Sequence, residues 1–448
     1  MNLNPTEQRA QGTTWASQRF YRPYVISSLC VALTLGFTTG TAMLFMPLLG
    51  FSLKNSWITH LQAHGMAQGF GFAGLFVMGL AFHIVPRIRN TSMNFPWPQR
   101  MTLGLVLLAI ICRFFGQTVN SFNVNEILLG MSGICLLIAA GIFIFTIGKT
   151  LSKGKSRHGL PEIWFWASLF WCFIASLLNL VIVLQMIDRG ARIVSFTMED
   201  SFVHVTLIGF VANFVFGISL RVLPGLLFLP TPRFSLNKVS LILINVGISV
   251  IAIQPIIVVS NWWLLIATLI ELAGFISYVL SVHIYNRRVT VRQYVLNTYG
   301  RYEWFLRSGY FWLLVGGVLQ VWLSVGHLNH NIAVSIELAA PVVHVWGLGF
   351  ITMIIVGMAS RMVPMFEGAV LPLQRIMDLV FILLNLGVIL RLGFGIIPSH
   401  NSWTGLALSG SLSTISITLF ALIICLTLNP SSRNRYIEIA IEFGKNRQ

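Results

Sequence analysis

The sequence predicts an all-α integral membrane fold: twelve transmembrane helices in three four-helix arcs with pseudo-threefold symmetry. Three observations predict it. Of the 448 residues, 56% are hydrophobic and only 9% charged, against roughly 25% charged in soluble domains; lipid must solvate much of this chain. Apolar stretches matching the roughly 20 residues that a bilayer core demands recur twelve times. A pattern of glycine, phenylalanine and proline also returns three times at nearly constant separation.

The apolar stretches place helices at 24–49, 57–86, 101–119, 126–148, 162–187, 201–224, 237–258, 261–284, 303–326, 334–364, 374–396 and 403–428. Short turns separate them and leave no soluble domain, so 1–448 reads as a single polytopic membrane domain. The formal charge of +16 belongs to loops rather than to a basic patch, which excludes a nucleic-acid partner. With the N-terminus inside, 24 of the 29 Lys and Arg residues face the cytoplasm, among them Arg87, Arg89, Lys149, Lys153 and Arg287. Only Lys54, Arg189 and Arg192 fall outside, while Arg113 and Arg391 lie within the membrane. That asymmetry sets both termini in the cytoplasm, and a bacterial inner membrane is the expected location. The polar start, MNLNPTEQRAQGTTW, lacks the layout of a cleaved signal peptide, so the first helix is expected to do the targeting. Cys30, Cys112, Cys135, Cys172 and Cys425 form no CxxC or CxxCH, which argues against a zinc ribbon, a disulfide framework and covalent haem attachment.

The recurring pattern divides the chain. Helices 2, 6 and 10 end at Pro86, Pro224 and Pro364, which are almost evenly spaced. Fifteen positions before each stands Gly-Phe (Gly71-Phe72, Gly209-Phe210, Gly349-Phe350), and seven before stands Gly79, Gly217 or Gly357. Three before stands His83, Arg221 or Arg361. Four helices per unit gives repeats at approximately 20–155, 156–295 and 296–430. Close helix packing accounts for the glycines, but not for their common phase with proline.

Ionisable groups inside a membrane are functional candidates, so the ten histidines can be sorted by depth. His158 and His283 fall near cytoplasmic loops; His327, His330 and His400 belong to outer loops. The spacing His327-x-x-His330 suits a metal, but two imidazoles without a further ligand read as a wetted loop. His204 and His344 stand equally far before their prolines, about 30 Å along a helix and near the outer edge of the hydrocarbon. His64 stands two positions further from Pro86 than they do from theirs, or in step with them if the doubled Gly69-Phe70-Gly71-Phe72 is counted from Gly69. The two registers differ by about 200° of helical rotation and leave its face open. His60 lies one turn earlier. Neutral imidazoles at one depth on separate helices are the donor set that clamps a b-type haem; interhelical hydrogen bonding is the alternative.

Arg113 and Arg391 follow their prolines at one and the same interval, where the middle repeat has Ile251. A guanidinium at that depth needs an anion. Either the propionates of a cofactor supply it or a nearby acid does, with Glu126, Glu199, Asp200 and Glu337 the outer candidates. Glu271, the deepest carboxylate, reads as neutral and hydrogen-bonded, and Arg221 and Arg361 as snorkelling to headgroups.

These residues resemble the NnrS family, membrane proteins related to the catalytic subunit of haem-copper oxidases. The match is densest over His344-Val-Trp-Gly-Leu-Gly349-Phe, then Met358-Ala-Ser-Arg361, Gly368 and Leu390-Arg391, which is similar to the family's His…Gly…Met-x-x-Arg…Gly and its following arginine. On helix 2, His64-Gly-Met66 before Gly-Phe resembles the family's His-x-His-Glu-Met…Gly-Phe, and Arg113 matches a family arginine. Gly65 stands where the family has Glu, Phe366 where it has His, and helix 7 carries no His pair. A complete oxidase copper site is therefore not expected.

The resemblance implies the twelve-helix architecture, b-type haem with or without copper, and a role in nitric oxide metabolism or nitrosative stress. Cofactor-binding candidates are His64 and His344 as the axial pair, then His204 and His60, with Arg113 and Arg391 on propionates; His64, His344 and His204 are the metal-ligand candidates. Expected partners are the bilayer, a diatomic ligand such as nitric oxide, and a respiratory electron-transfer protein. The rival readings are a cofactor-free transporter, whose class also uses repeats, and an assembly partner of a respiratory complex.

Overall fold

The computed structural model describes residues 19–51, 55–91, 93, 96–119, 122–154, 159–257, 259–286, 299–328, 336–397 and 402–429. Among them are twelve helices long and apolar enough to cross a membrane, and no strand. They are α1 (Tyr21–Leu49), α2 (Ser56–Ile88), α3 (Trp97–Thr118), α4 (Val124–Lys153), α5 (Leu160–Asp188) and α6 (Phe196–Leu227). Then come α7 (Phe234–Ile253), α8 (Asn261–Val282), α9 (Tyr302–Leu328), α10 (Ala339–Glu367), α11 (Gln374–Ile396) and α12 (Ser402–Leu428). An all-helical answer follows from the solvent, because hydrocarbon offers backbone N–H and C=O groups no partners and a helix satisfies them internally. His158, His330 and His400 lie outside the described residues.

Most helix ends fall close to the spans that hydropathy marks. Two differ for identifiable reasons. Helix α6 begins early, at Phe196, because its acids Glu199 and Asp200 are inside the bundle and do not mark a water boundary. Helix α7 stops at Ile253 rather than 258, where Pro255 has no N–H to continue the helical hydrogen-bond ladder.

Three helices form the centre. In the apolar windows of α2, α6 and α10, 94%, 94% and 83% of residues are buried, against 22–56% in the other nine, so those nine make the lipid-facing layer. The outer helices pack in chain order as α3-α4-α5, α7-α8-α9 and α11-α12-α1. Two junctions between these groups use the same device. Trp171 Nε1 donates to Asn245 Oδ1 at 2.6 Å, and Trp312 Nε1 donates to Asn385 Oδ1 at 3.0 Å.

The glycines that share a phase with proline face one kind of neighbour. A Cβ on Gly71, Gly209 or Gly349 would meet Val31, Trp171 or Trp312, and one on Gly79, Gly217 or Gly357 would meet Tyr24, Phe165 or Phe305. Each of those six partners comes from α1, α5 or α9. Each central helix therefore lays a glycine seam against the helix before it, which is why the spacing is fixed on both sides.

Each central helix also widens into a π-helical stretch: Ala67–Gly74, Val205–Ala212 and Val345–Thr352. All three begin equally far before the helix's proline. Helix α1 has a fourth, Ala32–Gly36. Such stretches shift the phase of everything on their N-terminal side and accompany functional sites.

At the proline end, Glu367 binds Arg19, Tyr21 and Arg22, tying the start of α1 to the end of α10. Arg89, just past α2, is fully buried and donates to the Leu151 carbonyl at 3.1 Å and the Gly154 carbonyl at 2.9 Å, with Glu162 at 3.5 Å. One cation thus joins the ends of α2, α4 and α5.

Gly209→Ala and Gly349→Ala should each lower thermal stability in detergent by about 1–3 kcal/mol, because the new methyl would stand 2.9 and 2.8 Å from tryptophan Cβ atoms that cannot swing away. Gly104→Ala, with open space around it, should cause no loss.

Candidate functional site

A cavity of about 410 Å³ opens among α1, α2, α6, α10, α11 and α12, in the half of the bundle where α2, α6 and α10 begin. Its size falls within the range of small-molecule and cofactor sites. The walls are chiefly aliphatic and aromatic, including Trp57, Leu61 and Phe72. Against that background stand the ionisable and amide side chains of Gln62, His64, Gln68, Glu199, Asp200, His344 and Arg391.

His64 and His344 face one another across the cavity, ring centroids 6.5 Å apart and planes within 17° of parallel. Their tautomers follow from their neighbours. His64 Nδ1 lies 3.0 Å from the Gly36 carbonyl and His344 Nδ1 lies 2.7 Å from the Ala340 carbonyl. A carbonyl only accepts, so both Nδ1 atoms carry the hydrogen and both Nε2 atoms carry the lone pair. On His344 that lone pair accepts from Arg391 Nη2 at 3.2 Å. Metal-binding histidines are oriented in this way, with the distal N–H fixed on a carbonyl.

The face of His64, left open by the sequence, is settled by the π stretch. It occupies the same register in α2 as in the other two central helices, so no residue is inserted and the count from Pro86 holds. Met66, fully buried, takes the position equivalent to His204 and His344. His64 is rotated away from it, toward α1 and across from His344. Helix α1 makes room through Gly40, where a Cβ would stand 2.7 Å from His64 Cε1.

The other candidates are engaged elsewhere. His204 Nε2 lies 3.1 Å from Glu271 Oε1, both side chains buried, and its ring meets Trp346 edge-on at 5.4 Å. His60 Nδ1 donates to the Ser56 carbonyl at 2.6 Å, with its ring edge-on to Phe114. Arg113 is fully buried; Nε donates to Gln117 at 2.7 Å and Nη1 to Asn179 at 3.1 Å, and Nη2 faces Glu199 at 3.6 Å. None of these three lines the cavity. Of the two anion sources considered for Arg113, a neighbouring acid is in place. Glu199 reaches it from the early start of α6 and also lines the cavity wall.

Behind this pair runs a network that composition could not disclose. Gln117 Nε2 donates to Gln62 Oε1 at 3.2 Å and to the Arg192 carbonyl at 2.9 Å, and Gln62 in turn bonds the Val194 backbone. These amides carry no charge and fall in apolar runs, so only their packing marks them. When ionised, Glu199 and Asp200 cancel the formal charges of Arg113 and Arg391. Arg391 itself has no carboxylate partner among the described residues; an imidazole holds it.

The family described as NnrS protein matches residues 25–429, nearly the whole chain. No curated protein matches it.

Glu199→Ala should destabilise the protein by about 3–5 kcal/mol, because it strands the Arg113 guanidinium in a buried site. Thermal unfolding in detergent reads the loss, and the double variant Arg113→Met with Glu199→Ala should recover much of it.

Proposed function

The chain belongs to the NnrS family, and from that premise we propose that it is a haem-binding inner-membrane protein of nitric oxide metabolism or the nitrosative-stress response, with cytoplasmic termini. One observation carries the reading: two Nδ1–H imidazoles, each with its lone pair on Nε2, face each other across an apolar cavity.

The donor set fits b-type haem. His64 presents a ring at the cavity wall whose Nε2 lone pair is the donor type that holds a haem iron. Each Nδ1–H is anchored on a carbonyl, which fixes the ring and raises the basicity of Nε2. When bound, haem supplies diatomic-ligand binding and one-electron chemistry. The chain does the rest. His64 would hold the group, with Gly36 and Gly40 setting its ring; His344 stands on the facing side. Arg391 contributes positive charge for an anionic substituent. The aliphatic walls exclude water and favour a small apolar ligand arriving through lipid. Copper is left out of the proposal, since among the described residues no group of three or more His, Cys, Asp or Glu stands together for an ion.

The test is a reduced-minus-oxidised spectrum of protein purified after haem-sufficient expression, with a pyridine haemochrome assay. A Soret band is expected, and its absence sinks the reading in favour of a cofactor-free transporter. His64→Ala should remove most of the haem. Gly40→Ala should weaken retention about 10–100-fold by pushing the ring off its carbonyl, with the fold intact by circular dichroism.

A further inference from the structure

The two facing imidazoles are not equivalent. Among the described residues, no side chain engages His64 Nε2. His344 Nε2 accepts from Arg391 Nη2 at 3.2 Å while its Nδ1–H is committed to the Ala340 carbonyl at 2.7 Å. A neutral imidazole has one in-plane lone pair, and a guanidinium can only donate. That lone pair therefore serves Arg391 or a metal, never both.

We infer that Arg391 is the residue that decides whether His344 can ligate. With Arg391 in place, the proposed cofactor is held by His64 alone. This rests on the haem reading given above.

Three further observations support it. Arg391 has no competing carboxylate among the described residues, so no ion pair there draws it off the imidazole. It comes from α11 whereas His344 is on α10, so the contact is built by helix packing rather than by chain neighbours. A guanidinium carries five N–H groups on a rigid fork; spending Nη2 on His344 leaves the others for an anionic group of the cofactor. The cation can hold such a group and mask the imidazole together. His204, at the corresponding place in α6, has Glu271 on its Nε2 instead.

The experiment compares the wild-type protein with Arg391→Met and with the Arg391→Met/His344→Ala double variant, each loaded with haem. Electron paramagnetic resonance and resonance Raman spectra report the spin state, and pyridine haemochrome reports haem content. The wild type should be five-coordinate and high-spin in the ferric state, with rapid carbon monoxide binding when reduced. Arg391→Met should turn low-spin with a bis-imidazole signature and slow carbon monoxide binding, and the double variant should return to high-spin. A low-spin bis-imidazole wild type overturns the inference whatever the variants do. So does an Arg391→Met protein that keeps its haem and stays high-spin. Absence of haem from the wild type is a different result: it removes the reading beneath.

Discussion

The approach of α1, α5 and α9 to the glycine seams of α2, α6 and α10 is the contact on which the rest of the molecule depends. Lipid gives helices no hydrophobic reason to associate, so close backbone packing and hydrogen bonds between helices must do the work. The seams supply the first. Because bulky side chains such as Trp171 and Trp312 sit directly over glycine, the three central helices are encased by the outer layer. Encasement is what permits charge and amide groups inside: Arg113, Glu199, Gln117 and Asn179 share partners in a region that lipid never reaches. The same seam on α1 brings Gly36 and Gly40 against His64 and fixes one wall of the cavity.

Much of this could be read beforehand, and the reasons are physical. Hydropathy located twelve spans because bilayer thickness imposes a length that few soluble segments satisfy. The glycines were visible because close approach tolerates nothing larger, at whatever distance in sequence the partner lies. The family was legible in α10 and α11, where His344, Gly349, Arg361 and Arg391 stand at telling intervals.

What was hidden concerns partners rather than positions. His204 with Glu271 joins helices far apart in the chain whose contact no local pattern announces, and nothing local picks Glu199 for Arg113 from the four acids considered. The rotation of His64 was hidden for another reason: a π stretch changes helical phase without leaving a gap or a proline. The doubled Gly-Phe of α2 imitates an inserted pair of residues, whereas the backbone keeps the same register as its two counterparts. The start of α6 was obscured because Glu199 and Asp200 have the composition of a loop and the surroundings of a core.

Among the described residues, helix α1 closes the outer layer against α12, far from it in the chain. Thr41 bonds Thr414 at 2.8 Å and Thr414 reaches the Phe37 carbonyl at 3.3 Å. Helix α1 is held on one side by the glycine seam of α2 and on the other by α12, and the Gly36 carbonyl that orients His64 sits between the two. The His64 wall of the chamber thus answers to segments from far-separated parts of the chain, so a change in α12 can be felt at an imidazole that it never touches.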